Sequence, residues 1–218
     1  YIENNAPASE AITQIPLSKL LSNLPFIAII VATFANNWSL LVFLSFLPKF
    51  VDNELGVDLS SGSFLVLIII PSIVSVIALN LGGYIADTLI KKGYKVIKVR
   101  KSANSIGFFG SAACLFTIPF LNDVYTIIGL ICMTNIFTGA AAGGFGVNHA
   151  DLGPKSTGTL VGIASTLGTA AGVLGNIISG IVLDLTQSWT LVFFIAAGLL
   201  VFGGFFYLLF ASDKKQFD

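Results

Sequence analysis

The chain of 218 residues is 55% hydrophobic and only 10% charged, and its mean hydropathy is +0.91. Eleven basic and eleven acidic residues leave no net charge, so the charge balance gives no indication of a nucleic-acid partner. This composition lies far outside that of an average soluble domain and favours a protein embedded in a membrane.

Six stretches of the chain contain no Asp, Glu, Lys or Arg, and each exceeds the about 20 residues that a helix needs to cross the hydrocarbon core. Strands of a membrane barrel would instead need segments of about ten residues with alternating polarity. The predicted fold class is therefore an all-α membrane protein with six transmembrane helices. The charge-free stretches are residues 20–48, 59–86, 102–122, 124–150, 156–183 and 185–212.

Two segments are expected before the first membrane span. Residues 1–14 are polar and are expected to form a linker. Residues 15–24 are expected to form a short amphipathic helix at the membrane interface, because their leucines recur at helical spacing. These leucines are Leu17, Leu20, Leu21 and Leu24.

The six-helix domain is expected to cover residues 25–212, followed by a cytoplasmic tail at 213–218. Residues 48–60 form the longest outer loop in this prediction, and a basic inner loop follows the second span. Pro71 lies midway along that span and predicts a kink there. The individual spans are predicted at 25–47, 61–86, 102–121, 124–147, 158–183 and 188–210.

The basic residues indicate the orientation, because cytoplasmic loops accumulate Lys and Arg. With the amino end inside, only Lys49 lies in an outer loop. Both ends are therefore predicted to face the cytoplasm or an equivalent compartment, and the choice between a plasma, plastid or vesicle membrane stays open. The ten basic residues on inner segments are Lys19, the six between Lys91 and Lys101, Lys155, Lys214 and Lys215.

Glycines recur along the fifth span in steps of four residues. Gly158 and Gly162 form one such pair, and Gly168 and Gly172 form another. Small residues on one stripe of a membrane helix let a neighbouring backbone approach closely. The stripe predicts tight helix packing, and in a transporter it would also let helices slide and rock.

The segment after the second span carries a motif. Gly83-x-x-x-Asp87, with a basic stretch after it, resembles the loop signature of the major facilitator superfamily. Gly180-x-x-x-Asp184 ends the fifth span in the same way, which fits two inverted three-helix repeats. Asp87 is expected to pair with a base such as Arg100, while Gly83 permits close helix contact, and together they would hold an inner gate.

Further matches spread over nearly the whole chain make the resemblance more specific. The chain resembles the anion and phosphate solute carriers of that superfamily, a group that includes sialin and the vesicular glutamate, sodium–phosphate and plastid phosphate transporters. The matching segments are Gly82-Gly83-Tyr84-Ile85-Ala86-Asp87-Thr88-Leu89 with Val99-Arg100-Lys101, Asn37-Trp38, Gly146-Val147-Asn148-His149-Ala150-Asp151-Leu152-Gly153-Pro154 and Phe210-Ala211-Ser212-Asp213-Lys214-Lys215.

The resemblance implies the carboxyl-terminal half of a secondary active transporter that works by alternating access. Its implied partners are a small anionic solute such as phosphate or an organic anion, a proton or sodium ion, membrane lipid and an amino-terminal six-helix half absent from this sequence. Asn36 stands where vesicular glutamate members carry an arginine, so glutamate-like specificity is not expected. The sequence starts at Tyr1 and has Met133 as its only methionine, so a piece of a longer protein is expected.

Polar residues inside the spans are candidates for the wall of a substrate cavity. An amide or hydroxyl buried in lipid costs several kcal/mol unless it is hydrogen-bonded, so each must face protein or a water-filled cavity. Hydrogen bonding between helices is the alternative role. The candidates are Asn36, Asn37, Trp38, Asn135, Thr138, Ser165, Thr166 and Thr169.

Four further candidates for the cytoplasmic gate, besides Gly83 and Asp87, are Arg100, Asn148, His149 and Asp151. His149 and Asp151 could instead belong to an intramembrane enzyme, but two residues are too few for a metal site and no nucleophile–base set accompanies them. No catalytic residue, metal or cofactor is therefore expected. A sialic-acid or organic-acid carrier and a non-transporting membrane scaffold remain as further alternatives.

Overall fold

The computed structural model describes residues 16–56 and 62–217, without the side chains of Leu55 and of residues 62–68. The predicted linker at 1–14 and residues 57–60 of the predicted outer loop lie outside this part of the chain. All the regular elements of the described residues are helical. In chain order they are α1 (Leu17–Leu21), α2 (Leu24–Leu55), α3 (Gly62–Lys91), α4 (Val96–Thr117), α5 (Val124–Ala141), α6 (Asn148–Leu152), α7 (Thr157–Thr186) and α8 (Trp189–Phe210).

Six of these helices are long and apolar enough to cross a membrane, which confirms the prediction from the charge-free stretches. They are α2, α3, α4, α5, α7 and α8. A short 3₁₀ turn at Ile118–Phe120 extends α4, and a π-helical segment at Ala142–Gly146 extends α5. The protein is thus an integral, multi-pass membrane protein.

Three helix boundaries differ clearly from the sequence prediction, and one is the end of α3, which lies at Lys91 and not at 86. Helix α2 continues through Pro48 to Leu55, where the predicted loop would have begun. A proline in a helix removes one hydrogen bond, and near a helix end the freed carbonyl can be satisfied by water. Helix α4 begins at Val96, so Arg100 lies on a helix and not in a loop.

The turn between α3 and α4 explains the early start of α4. Gly93 adopts a φ of 91°, a conformation in which glycine avoids the steric cost of a side chain. Its N–H donates to the Ile90 carbonyl at 2.9 Å, and the Tyr94 N–H donates to the Leu89 carbonyl at 3.2 Å. This Schellman motif closes α3 and turns the chain within a few residues, which leaves the remaining basic residues to form the first turns of α4.

Helix α5 starts directly after a short turn because Asp123 caps it. The Asp123 carboxylate accepts hydrogen bonds from the Thr126 backbone N–H at 2.8 Å and from the Thr126 hydroxyl at 2.6 Å. The hydroxyl first and the backbone N–H second hold the pKa of Asp123 below its ordinary value. A carboxylate at this position satisfies one of the unpaired N–H groups at the helix start.

The six long helices form two triplets that pack in related ways. The first triplet is α2, α3 and α4, and the second is α5, α7 and α8. Helix α2 packs most extensively against α7, and α3 packs against α5. Exchanging α2, α3 and α4 with α5, α7 and α8 converts the first of these contacts into the second. The same exchange converts the α4–α5 contact into the α8–α2 contact, and both are extensive. Because successive spans alternate in direction, the two triplets are inverted repeats, as predicted.

Glycines form close contacts along two seams, one between α3 and α5 and one between α2 and α7. Between α3 and α5, a side chain on Gly82 would overlap the Gly139 carbonyl, and one on Gly143 would lie 2.7 Å from the Gly82 carbonyl oxygen. Between α2 and α7 the predicted stripe is only partly used, because Gly158 and Gly162 face open space. The residues of that seam are Gly168, Gly172 and Gly175, which lie against Thr33, Asn37, Trp38, Leu41 and Val42.

Candidate functional site

An ion pair lies at the basic end of the bundle, where the turns carrying most of the basic residues meet. Arg100 of α4 donates through Nε to Asp151 Oδ2 at 2.9 Å and through Nη2 to Asp151 Oδ1 at 3.4 Å. Only 8% of the Arg100 side chain and 19% of the Asp151 side chain are exposed. A two-point contact between a guanidinium and a carboxylate fixes both groups in orientation as well as in distance.

The π-helical segment supplies the third hydrogen-bond acceptor of the guanidinium. Arg100 Nη1 donates to the Gly143 carbonyl at 3.0 Å. A side chain on Gly144 would lie 2.7 Å from the Arg100 carbonyl oxygen and 2.8 Å from Asn104 Cβ. The glycines therefore let the wider π turn approach α4 closely, and π turns often occur at functional sites.

Asn148 extends this network to the carboxyl end of the chain. Its Nδ2 donates to Asp151 Oδ2 and to the Ser212 carbonyl, each at 3.0 Å. The Tyr207 hydroxyl of α8 donates to Asn148 Oδ1 at 3.0 Å. Asn148 and Tyr207 are both fully buried. We call Arg100, Gly143, Asn148, Asp151 and Tyr207 the basic-end network.

Tyr207→Phe is expected to lower the free energy of unfolding by roughly 1–2 kcal/mol, because the buried Asn148 Oδ1 loses its donor. Thermal unfolding of the detergent-solubilised protein measures this effect. Tyr125→Phe is the matched control, since Tyr125 is 83% exposed and should tolerate the change. Equal melting temperatures for the two variants would contradict a structural role of the Tyr207 hydroxyl.

The predicted pairing of Asp87 with Arg100 is wrong in this structure, where Arg100 pairs with Asp151. Asp87 lies at the end of α3 and is exposed outside the network. Gly83 also differs from its prediction, because a side chain there would meet nothing within 4 Å. The close contact with α5 is made by Gly82, one residue earlier.

His149 does not join its neighbours in the network. The residue is 5% exposed, and neither imidazole nitrogen has a hydrogen-bond partner among the described residues. Asp151 is engaged by Arg100 and Asn148, so the structure does not form a His149–Asp151 acid–base pair. Within the described residues, no group of three or more His, Cys, Asp or Glu side chains could hold a metal ion.

Three of the predicted cavity residues line one recess, between α2, α4, α5 and α8. The recess has a volume of about 60 Å³ and is mainly aromatic and aliphatic. Asn135 donates to the Pro71 carbonyl of α3 at 3.1 Å, so its amide is also a helix–helix contact. The polar groups at this recess are Asn36, Asn135 and Thr138 from the candidate set, together with Ser39 and Thr134.

The other predicted cavity residues lie elsewhere. Asn37 and Trp38 face the seam with α7, where they meet Gly168 and Gly175. The remaining three are exposed on α7, and two of them bond to their own helix: Thr166 donates to the Gly162 carbonyl at 2.8 Å and Thr169 to the Ser165 carbonyl at 2.9 Å. The predicted set therefore divides into a recess, a packing seam and an exposed face.

Sequence reasoning missed Ser39, Thr134 and Tyr207. Ser39 and Thr134 fall on the same helix faces as Asn36 and Thr138, so helical spacing alone could have added them. Tyr207 stands in an otherwise apolar helix, and no local pattern marks its partner 59 residues away.

Comparison with known proteins finds relatives over almost the whole chain, although no family model matches. The chain is 34% identical over 212 residues to the chloroplastic ascorbate transporter of Arabidopsis thaliana, covering 96% of this chain and 38% of that protein. It is 32% identical over 222 residues to the chloroplastic sodium-dependent phosphate transport protein 1 of the same plant, covering 100% and 42%. Human sialin is 32% identical over 206 residues, with 93% and 41% covered.

The similarity reaches only part of each of these proteins. Across the relatives compared, the chain spans between 36% and 50% of their length. The shared region is thus about the size of one six-helix half.

Proposed function

We propose that this chain, which is homologous along its length to the anion and phosphate transporters of the major facilitator superfamily, forms one half of a secondary active anion transporter. The observation that supports this most directly is the inverted pairing of α2 with α7 and of α3 with α5. Such repeats let a half rock as a unit while a substrate path between two halves opens to alternate sides. The sequence-based resemblance to this family is confirmed.

The basic-end network supports a role as a brace inside this half. Arg100, Gly143, Asp151 and Tyr207 come from four different segments, and Asn148 joins two of them. A buried and fully bonded network of this kind resists relative motion of its members. The six-helix unit would then move as one body at its basic end.

The exposed end of α3 supports a separate role at the gate. Gly83 has room around it and Asp87 is exposed. Both groups are therefore available to the part of the protein that lies outside this chain. In this proposal Asp87 pairs with a base of that part when the path is closed on the basic side.

The substrate is proposed to be inorganic phosphate or a small organic anion, coupled to a proton or to sodium. One relative is named as an ascorbate transporter and another as a sodium-dependent phosphate transport protein, which supports both kinds of substrate and, of the two coupling ions, sodium. Among the described residues, no charged side chain lines the recess at Asn36 and Asn135. The amides and hydroxyls there would orient an anion whose charge is attracted by groups elsewhere.

Uptake by the full-length protein in lipid vesicles tests this function. Labelled phosphate and labelled ascorbate are offered under a proton gradient or a sodium gradient, and one of the four combinations is expected to give uptake above that of protein-free vesicles. Asp87→Asn is expected to lower that uptake about tenfold, since a charge-assisted hydrogen bond of roughly 1.5 kcal/mol would be lost. Failure of all four combinations would contradict transport of these anions.

Asp123→Asn is the control for the gate, because it changes another exposed carboxylate to an amide. The amide oxygen can still cap α5, so uptake should stay close to that of the unchanged protein. Undiminished uptake by Asp87→Asn would remove the gate assignment without touching the transporter assignment.

A further inference from the structure

The residues after α8 do not leave the bundle but cross its basic end. The backbone N–H groups of Gln216 and Phe217 both donate to the Leu152 carbonyl, at 2.7 and 3.2 Å. Ser156 Oγ donates to the Phe217 carbonyl at 2.9 Å, and Asn23 Nδ2 donates to Gln216 Oε1 at 3.0 Å. We call residues 212–217 the strap, because they connect the start of α2 with the turn between α6 and α7.

The strap also supplies the cap of α4. Lys95, the residue before this helix, makes no capping hydrogen bond with its side chain. Instead Asp213 Oδ2 accepts a hydrogen bond from the Ile97 N–H at 3.1 Å. A carboxylate at a helix start satisfies an unpaired N–H and interacts favourably with the helix dipole. Arg100 follows Ile97 by three residues, within the same turn.

Phe217 fixes the far end of the strap. The residue is 4% exposed, and its ring packs edge-on against Phe26 with 5.9 Å between the ring centroids. Leu152, which accepts the two backbone hydrogen bonds, directly follows Asp151. The strap therefore holds both the helix that carries Arg100 and the segment that carries Asp151, and the Ser212 carbonyl accepts from Asn148 between them.

We propose that the strap positions Arg100 against Asp151, with Asp213 as a positioning residue for the guanidinium. The pair joins segments 51 residues apart in the chain. The strap contacts both the start of α4, at Ile97, and the residue after Asp151, and so sets the distance between these two segments. The inference rests on the proposed function only for its effect on transport, and the local structure can be tested without it.

Hydrogen exchange of the full-length protein in nanodiscs tests the local structure. In the unchanged protein the Ile97, Gln216 and Phe217 amides should exchange far more slowly than in a free peptide. Exchange at free-peptide rates would overturn the proposal without any variant. Asp213→Ala should speed exchange of the Ile97 amide roughly fivefold, as expected for loss of one capping hydrogen bond.

Two matched variants accompany this measurement. Asp213→Asn keeps an oxygen that can accept the hydrogen bond and should restore most of the protection. Lys214→Ala changes the neighbouring exposed side chain and should leave the Ile97 amide as protected as before. Equal exchange in Asp213→Ala and Lys214→Ala would overturn the role of Asp213.

A double-mutant cycle separates positioning from general stabilisation. Asp213→Ala is measured alone and in an Arg100→Gln background, by anion uptake where transport is established and by melting temperature in every case. If Asp213 acts through Arg100, its effect should largely disappear in the Arg100→Gln background. Additive effects would overturn the proposal. Absence of uptake in all variants would count against the proposed function only, because exchange and melting still decide the role of the strap.

Discussion

Arg100→Ala is expected to lower the free energy of unfolding by about 3 kcal/mol. The change leaves a largely buried carboxylate without its cation, and breaking one side of a buried pair typically costs 3–5 kcal/mol. The lower end applies here because 19% of the Asp151 side chain remains exposed and can be hydrated. The Gly143 carbonyl also loses its donor. Thermal unfolding of the full-length protein in detergent measures the loss.

Two further variants sharpen this prediction. Lys98→Ala removes an exposed cation from the same helix and should change the stability by less than about 0.5 kcal/mol. Arg100→Lys should recover only part of the loss, because a point charge cannot contact Asp151 and Gly143 in the fork that a guanidinium provides. A melting temperature for Arg100→Ala equal to that of Lys98→Ala would exclude the brace that we assign to the network.

Gly82→Ala is expected to force α3 and α5 apart. The added methyl group would overlap the Gly139 carbonyl and lie 3.1 Å from Ala140 Cα. Both neighbours are backbone, which cannot rotate away, so the cost should reach or exceed the upper part of the usual 1–3 kcal/mol for overpacking. The loss should appear as a lower melting temperature and as a lower yield of folded protein.

Gly83→Ala is the matched control for Gly82→Ala, one residue further along the same helix. A methyl group there meets nothing within 4 Å in this chain, and alanine favours the helix by up to about 1 kcal/mol. Stability should therefore be kept or raised. If Gly83→Ala nevertheless lowers anion uptake, the open face of α3 contacts the rest of the protein during transport. Equal destabilisation by the two variants would contradict the α3–α5 seam.

Much of the fold was predictable because lipid imposes a simple requirement. A span must be apolar along its whole length, so the gaps between charged residues located all six helices. The ends were less predictable, because water, caps and distant partners decide them. Gly93 could have indicated where α3 stops, but the Asp213 cap of α4 comes from a segment 116 residues away.

The candidate site was predictable in its residue types more than in its pairing. The sequence predicted that Asp87 pairs with a base such as Arg100, and Asp151 was a further gate candidate at the same end of the bundle. The resemblance of Gly83-x-x-x-Asp87 to a loop signature favoured Asp87. Asp151 prevails in the structure because the π turn at Gly143 and Gly144 brings the end of α5, the fourth span, onto α4. A π turn is wider than an α-helical turn. In a glycine-rich segment, the spacing of apolar residues does not mark where such a turn occurs.

The unequal lengths of the helices carry a consequence for the lipid around the protein. Helix α2 has 32 residues and α8 has 22, which at 1.5 Å per residue correspond to about 48 and 33 Å. The shorter helix matches a hydrocarbon layer of about 30 Å, whereas the longer one must tilt or project into the headgroups. Hydrophobic mismatch thus falls on the long helices, α2 and also α3 and α7 with 30 residues each. The tilt of α2 should respond to acyl-chain length in vesicles of graded thickness while α8 stays nearly upright.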